Sequence, residues 1–185
     1  MKIPAQAKSV FKGEIFEVFQ WPQPMFDGSE ATFEMVKRPY TAQVIATRNN
    51  KILLVEEEQP HYGSFAGIFG GRHEPGEDAL TCAKRELLEE GGLTSSDWEH
   101  FKTYETPGKI DWDISIFIAR NVEVVSDINL DAGEKITFRE VTFEEFLEVV
   151  FANYIGFGEF VFDLMTWKFL EPAKLAAFKQ KLGVV

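Results

Sequence analysis

Three glutamates, Glu86, Glu89 and Glu90, stand close together in "GRHEPGEDALTCAKRELLEEGG", residues 71–92. The run has helical patterning, and a helix advances about 100° per residue. Relative to Glu86, Glu89 then lies near roughly −60° and Glu90 near roughly +40°, so the carboxylates share about a third of the circumference. Like charges at this spacing repel by about a few tenths of a kcal/mol on an isolated helix, and by more where burial also raises their pKa values. A hard divalent cation removes the repulsion. Mg²⁺ takes oxygen ligands, keeps some of its water and is commonly shared between carboxylates and substrate phosphates. Taken alone, "RELLEE" reads equally as a solvated face, neutralised in part by Lys84 or Arg85. The wider spacing separates the two readings.

Gly71 is followed by five residues and Glu77, then by seven residues and Arg85-Glu86-Leu87, then by one residue and Glu89-Glu90, then by one residue and Gly92-Leu93. This 23-residue run resembles the signature of the Nudix hydrolases at all nine defining positions. The resemblance implies a pyrophosphohydrolase acting on a nucleoside diphosphate linked to another group. It implies an α/β (α+β) fold, an α/β/α sandwich around a mixed sheet. It also implies that Glu86, Glu89 and Glu90 hold divalent metal, with a backbone carbonyl of Gly70 or Gly71 as a further ligand. Glu77 and Arg85 would support the helix by pairing with each other or with the ligand glutamates. Two or three Mg²⁺ ions, or Mn²⁺ in their place, would neutralise a diphosphate, orient it and acidify a water. That water attacks phosphorus in line, with a carboxylate as base.

The flanks resemble the ADP-ribose pyrophosphatase branch of that family over roughly residues 12–170. "GEIFEVF", "KRPYTAQVIA" and "KILLVEEEQP" are similar to its N-terminal hairpin, first core strand and a strand ending in Gln. "ETPGKIDWDISIFIAR" and "LDAGEKITFREVTFEEF" are similar to its later Pro-Gly segment and its acidic loop, strand and helix. By that likeness Glu134 is the candidate base. There are departures. His61 stands where the branch has an Arg, and Gly67-Ile68-Phe69-Gly70-Gly71 lacks the usual Glu and Pro ahead of the box glycine. ADP-ribose leads the substrate candidates; other nucleotide sugars, dinucleotides and nucleoside triphosphates stay open. So does a non-catalytic module that binds a nucleotide metabolite.

Substrate contacts are expected from Arg72 in the box loop, from Trp112, and from Trp21 or Phe33. The rings would stack on a nucleobase, although core packing is their commoner use. Asp111 and Asp113 are candidates for a ribose hydroxyl, or for capping a loop. His61, His73 and His100 lack metal-ligand spacing. Cys82 beside the apolar stripe reads as packing.

These residues need elements to position them. An N-terminal hairpin over 13–21 and 31–38 is expected, with a turn at Asp27-Gly28. Strands over 41–47 and 51–57 are joined by Arg48-Asn49-Asn50, and a short apolar stretch covers 64–71. Pro75-Gly76 turns the chain into the helix, whose stripe is Leu80, Ala83 and Leu87 and whose stop is Gly91-Gly92. Strands follow over 98–106, 112–120 and 134–141. Helices follow over 143–151 and 158–182, the latter broken at Glu171-Pro172. Residues 1–40 read as a hairpin arm packing on the rest or on a second copy, and 41–185 as the catalytic domain with C-terminal helices.

The chain has 185 residues, 45% of them hydrophobic, a globular composition. Its net charge of −11 disfavours direct binding of nucleic-acid phosphates. A single cysteine excludes an internal disulfide. No apolar leader or 18-residue apolar run is visible, so the expectation is a cytoplasmic protein with a small-molecule substrate and no membrane partner. Eighteen Phe residues, many in the hairpin and C-terminal helices, point to a homodimer.

Overall fold

A computed structural model describes residues 2–60, 63–130, 135–153 and 158–185. The central sheet mixes parallel and antiparallel pairs. Its strands are β4 (Thr41–Arg48), β5 (Lys51–Gln59), β9 (Asp97–Glu105), β11 (Asp113–Arg120) and β13 (Lys135–Val141), in the order β13-β5-β4-β11-β9. β4 and β11 pair in parallel and are buried along nearly their whole length, as their unbroken apolar runs require. Asn49 and Asn50 both take left-handed backbone at the tight β4–β5 turn.

β4 and β5 pair only at that turn and then splay apart. The apolar stretch expected over 64–71 fills the gap as two strands rather than one. β6 (Gly63–Gly67) pairs with β5, and β7 (Phe69–Arg72) pairs with β4. The break at Ile68 lets one short stretch serve both neighbours.

Helices cover both faces. On one, α1 (Ala79–Gly91) packs Cys82, Ala83 and Leu87 against Ala42, Val44, Leu53, Val55, Phe69 and Ile136. On the other lie α2 (Phe143–Asn153), α3 (Gly158–Phe169) and α4 (Pro172–Leu182), with Phe146, Phe160 and Phe178 fully buried. This is the α/β/α sandwich, and the break at Glu171-Pro172 falls between α3 and α4 as expected. No helix among the described residues is long and apolar enough to cross a membrane.

A second sheet, β1-β2-β3-β10, is formed by β1 (Lys8–Lys12), β2 (Glu17–Pro24), β3 (Glu30–Lys37) and β10 (Ile110–Asp111). Every residue of β1 is exposed. Phe11, Phe16 and Phe26 are exposed too, Phe26 completely. A short antiparallel pair joins β8 (Leu93–Thr94) to β12 (Glu123–Val124).

Candidate active site

Asp78 starts α1. Its side chain accepts hydrogen bonds from the backbone N–H groups of Leu80 and Thr81, each at 3.0 Å, and so satisfies two orphan donors. Gly92 ends the helix in the left-handed region, its N–H donating to Leu88 O at 2.8 Å. Between these caps α1 runs along β7, and its glutamates meet the glycine loop one by one.

Arg85 is the hub. Its Nε and Nη2 donate to the two Glu77 carboxylate oxygens at 3.0 Å each, and Nη2 also donates to the Arg72 carbonyl at 3.0 Å. Its Nη1 lies 2.8 Å from Glu86 Oε1 and 2.9 Å from Glu89 Oε2. Hydrogen bonding to Arg85 holds the Glu77 carboxyl below its ordinary pKa range, and the same bond raises that of Arg85. Glu77 also accepts from Glu74 N–H at 2.9 Å, closing the loop onto the helix.

The three expected ligands do not behave alike. Glu90 is buried, and its Oε2 accepts from Gly70 N–H at 2.9 Å. Glu86 is 12% exposed and lies against Gly71, where a side chain would collide with its carboxylate. Glu89 is the outermost, 39% exposed. The Gly71 carbonyl faces Cys82 Sγ at 3.7 Å, and Cys82 is buried packing whose thiol is pushed up to about 12 by desolvation and then by Glu86 and Glu77.

Among the described residues no three acidic, His or Cys side chains already converge as a cation cage. Glu86 and Glu89 instead share the Arg85 guanidinium. The donor set nevertheless fits a hard divalent cation: carboxylate and carbonyl oxygens only. The side-chain-free space at Gly71 is what lets Glu86 approach the loop. The residues that would hold such an ion are therefore Glu86, Glu89, Glu90 and the Gly70 or Gly71 carbonyl.

A second group gathers where β4 begins. Trp112 donates to Thr41 Oγ1 at 3.0 Å. The Arg38 guanidinium stacks over the Trp112 ring at 4.2 Å and faces the Phe16 ring at 5.9 Å. Its Nε is buried with no hydrogen-bond partner among the described residues, as are His73 Nε2 and Gln43 Oε1. Desolvation lowers the Arg38 pKa, and repulsion from Arg72 lowers it further. So Arg72 and Trp112 both lie near Arg38, and the sequence reading missed Arg38 and Gln43. The signal for Arg38 was a cation beside the β4 strand; its partner ring is far off in the chain.

The remaining candidates scatter. Trp21 is 7% exposed and packs on Phe33 within the hairpin, ring centroids 6.1 Å apart. Asp111 and Asp113 are taken up by Lys2, at 3.1 and 2.5 Å. His100 lies near Thr103 on β9. Glu134 and His61 lie outside the described residues.

A NUDIX domain family model matches residues 37–158, about two thirds of the chain. The chain belongs to that family. It is a Nudix pyrophosphohydrolase. An ADP-ribose pyrophosphatase of Bacillus subtilis (strain 168) is 29% identical over 147 residues, covering 77% of this chain and 80% of the relative. A crystal structure of an ADP compounds hydrolase superposes with a TM-score of 0.65 at 18% identity, covering 79% of this chain and 80% of that one. A NUDIX hydrolase from Nitrosomonas europaea gives 0.51 at 23%, covering 60% and 76%. At these identities both structures speak to the fold. With the family match they bear out the Nudix fold expected from the sequence.

Proposed function

We propose that this Nudix enzyme hydrolyses the pyrophosphate bond of a nucleoside diphosphate linked to a second group, with ADP-ribose the leading substrate. The products are a nucleoside monophosphate and a sugar phosphate. The observation that carries the reading is the pairing of opposite characters around one loop. Carboxylates gather on the α1 side of Gly70-Gly71. Arg72 follows them directly, and Arg38 stands beyond with an unpartnered Nε over Trp112.

Bound Mg²⁺ or Mn²⁺ supplies charge neutralisation for the diphosphate and acidifies a water. The chain's own groups do the positioning. Arg85 fixes Glu86 and Glu89 on one helix face and ties that face to the loop through the Arg72 carbonyl. Arg38 and Arg72 bind the anionic substrate, and Trp112 offers a ring for a nucleobase. Glu134 is the base by resemblance. The 29% identical ADP-ribose pyrophosphatase supports the choice of substrate.

The test is incubation with ADP-ribose, ADP-sugars, dinucleoside polyphosphates and nucleoside triphosphates plus Mg²⁺ or Mn²⁺. ADP-ribose gives AMP and ribose 5-phosphate. Glu86→Gln stays folded and loses most turnover. Absence of pyrophosphate cleavage across the panel with both metals refutes the reading.

The hairpin sheet supports a homodimer. β1 is exposed along its length, and Val10, Phe11 and Phe16 stay in solvent in a single copy. Light scattering on the eluting protein gives twice 21.1 kDa; a monomer at micromolar concentration removes this part.

A further inference from the structure

Two neighbouring strands of the hairpin sheet run on into two neighbouring strands of the central sheet. β3 ends at Lys37 and β4 begins at Thr41; β10 ends at Asp111 and β11 begins at Asp113. β3 pairs with β10 in parallel, and β4 with β11 in parallel, so the two crossings lie side by side. Trp112 is the single residue between β10 and β11, and Arg38 follows β3 directly on the other crossing. The Arg38 N–H donates to the Asp111 carbonyl at 3.4 Å, while its guanidinium stacks on the Trp112 ring. The stacked pair therefore sits on the junction of the two sheets, and its geometry follows theirs.

Lys2 spans this junction, 109 residues from Asp111 in the chain. Its Nζ lies 3.1 Å from Asp111 Oδ1 and 2.5 Å from Asp113 Oδ2, so it grips the residues on either side of Trp112. On the other crossing it donates to Tyr40 OH at 3.2 Å. Tyr40 OH donates to Asp111 at 3.2 Å, and the Tyr40 carbonyl accepts from His73 N–H at 2.9 Å, next to Arg72. One ammonium thus ties the end of β10, the start of β11 and the strand that leads to the box loop. Asp111 is only 5% exposed, a depth at which a carboxylate stripped of its cation is costly. Without Lys2, two negative charges would flank Trp112 just where Arg38 and Arg72 are to receive an anion.

We propose that Lys2 is a positioning residue for substrate binding. It latches the junction so that Trp112 stays beneath Arg38, and it offsets the charge of Asp111 and Asp113 beside the incoming diphosphate. The inference rests on the reading of Arg38, Arg72 and Trp112 as substrate contacts. Lys2 serves binding and not the bond-breaking step, so its effect belongs to KM and not to kcat.

Steady-state kinetics on ADP-ribose and tryptophan quenching test it. Lys2→Met is expected to raise KM by about 5-fold with kcat within about twofold of wild type. Lys2→Arg keeps the cation and restores wild-type KM. Lys174→Met removes the same charge from an exposed pair with Glu171 and leaves KM unchanged. Acrylamide quenching is read with no substrate, as the difference between each protein and its Trp112→Leu counterpart. That difference grows in Lys2→Met and not in Lys2→Arg. Quenching that stays at wild type in Lys2→Met overturns the latch, whatever the substrate. Wild-type KM in Lys2→Met overturns the inference, as does an equal rise in Lys174→Met, which reduces the effect to bulk charge. A fall in kcat at constant KM overturns it too. Wild-type KM in Trp112→Leu overturns the reading of that ring as a substrate contact, a separate failure.

Discussion

Gly71→Ala isolates the catalytic use of a glycine from its folding use. An added Cβ at Gly71 would sit 2.2 Å from Glu86 Oε1, against an ordinary contact of 3.4 Å or more. The carboxylate must therefore retreat by about 1.2 Å. A misplacement of about 1 Å in a reacting constellation costs on the order of 100-fold in rate, or about 2.7 kcal/mol of transition-state stabilisation. The backbone is untouched, because what gives way is the end of a flexible side chain. Turnover should fall about 100-fold with Tm within about 2 °C of wild type. Gly70→Ala, one residue earlier, is the contrast. There φ is +146° and the new Cβ would stand 2.8 Å from the Gln43 Cα, so strand β4 itself must move. A loss of about 3 kcal/mol or more is expected, or roughly 6–12 °C in Tm. Steady-state kinetics on ADP-ribose with thermal melts on both variants decides. Wild-type turnover in Gly71→Ala refutes the placement of Glu86 as a reacting-site carboxylate. Equal unfolding of the two variants refutes the division of labour.

Asp78→Ala removes the α1 cap and should cost about 1 kcal/mol in urea unfolding, with kcat/KM nearly unchanged once the protein is folded. Arg85→Met breaks the bonds to Glu77, Glu89 and the Arg72 carbonyl at a largely buried site, so a loss of about 2–4 kcal/mol is expected together with loss of activity. Trp112→Leu removes the ring beneath Arg38 and should raise KM for ADP-ribose more than it lowers kcat, read from initial rates. The Glu99 carboxyl is held below its ordinary value of 4.5, first by Lys181 and then by Arg120. Its stabilisation is complete above that value and is lost as the pH falls through the lower folded one. Chemical melts from pH 6 to pH 3 should show a smaller decline in Glu99→Gln than in wild type, and parallel declines would contradict the assignment.

What could be read beforehand was local. The box is legible because its carboxylates, caps and Arg85 lie on one helix and in the loop before it, so spacing alone sets their relation. The α3–α4 break followed from Pro172, and the β4–β5 turn from paired asparagines that tolerate left-handed backbone. What could not be read depends on partners distant in the chain. β1 has no alternation because it buries neither face, so no period marks it. Arg38 is ordinary in sequence, and only the fold sets it on Trp112 and brings it near Arg72. The division of 64–71 at Ile68 reflects the splaying of β4 from β5, which neither strand announces.

The guanidinium at the centre of the box has a consequence for how the enzyme meets its ions. Arg85 serves as a built-in counter-charge that offsets part of the negative charge of Glu77, Glu86 and Glu89. A dication held by Glu86 and Glu89 would compete with the Arg85 arm that now pairs with both. The protein's affinity for such an ion would then depend on how firmly that arm holds on, and the helix caps at Asp78 and Gly92 lie apart from the exchange.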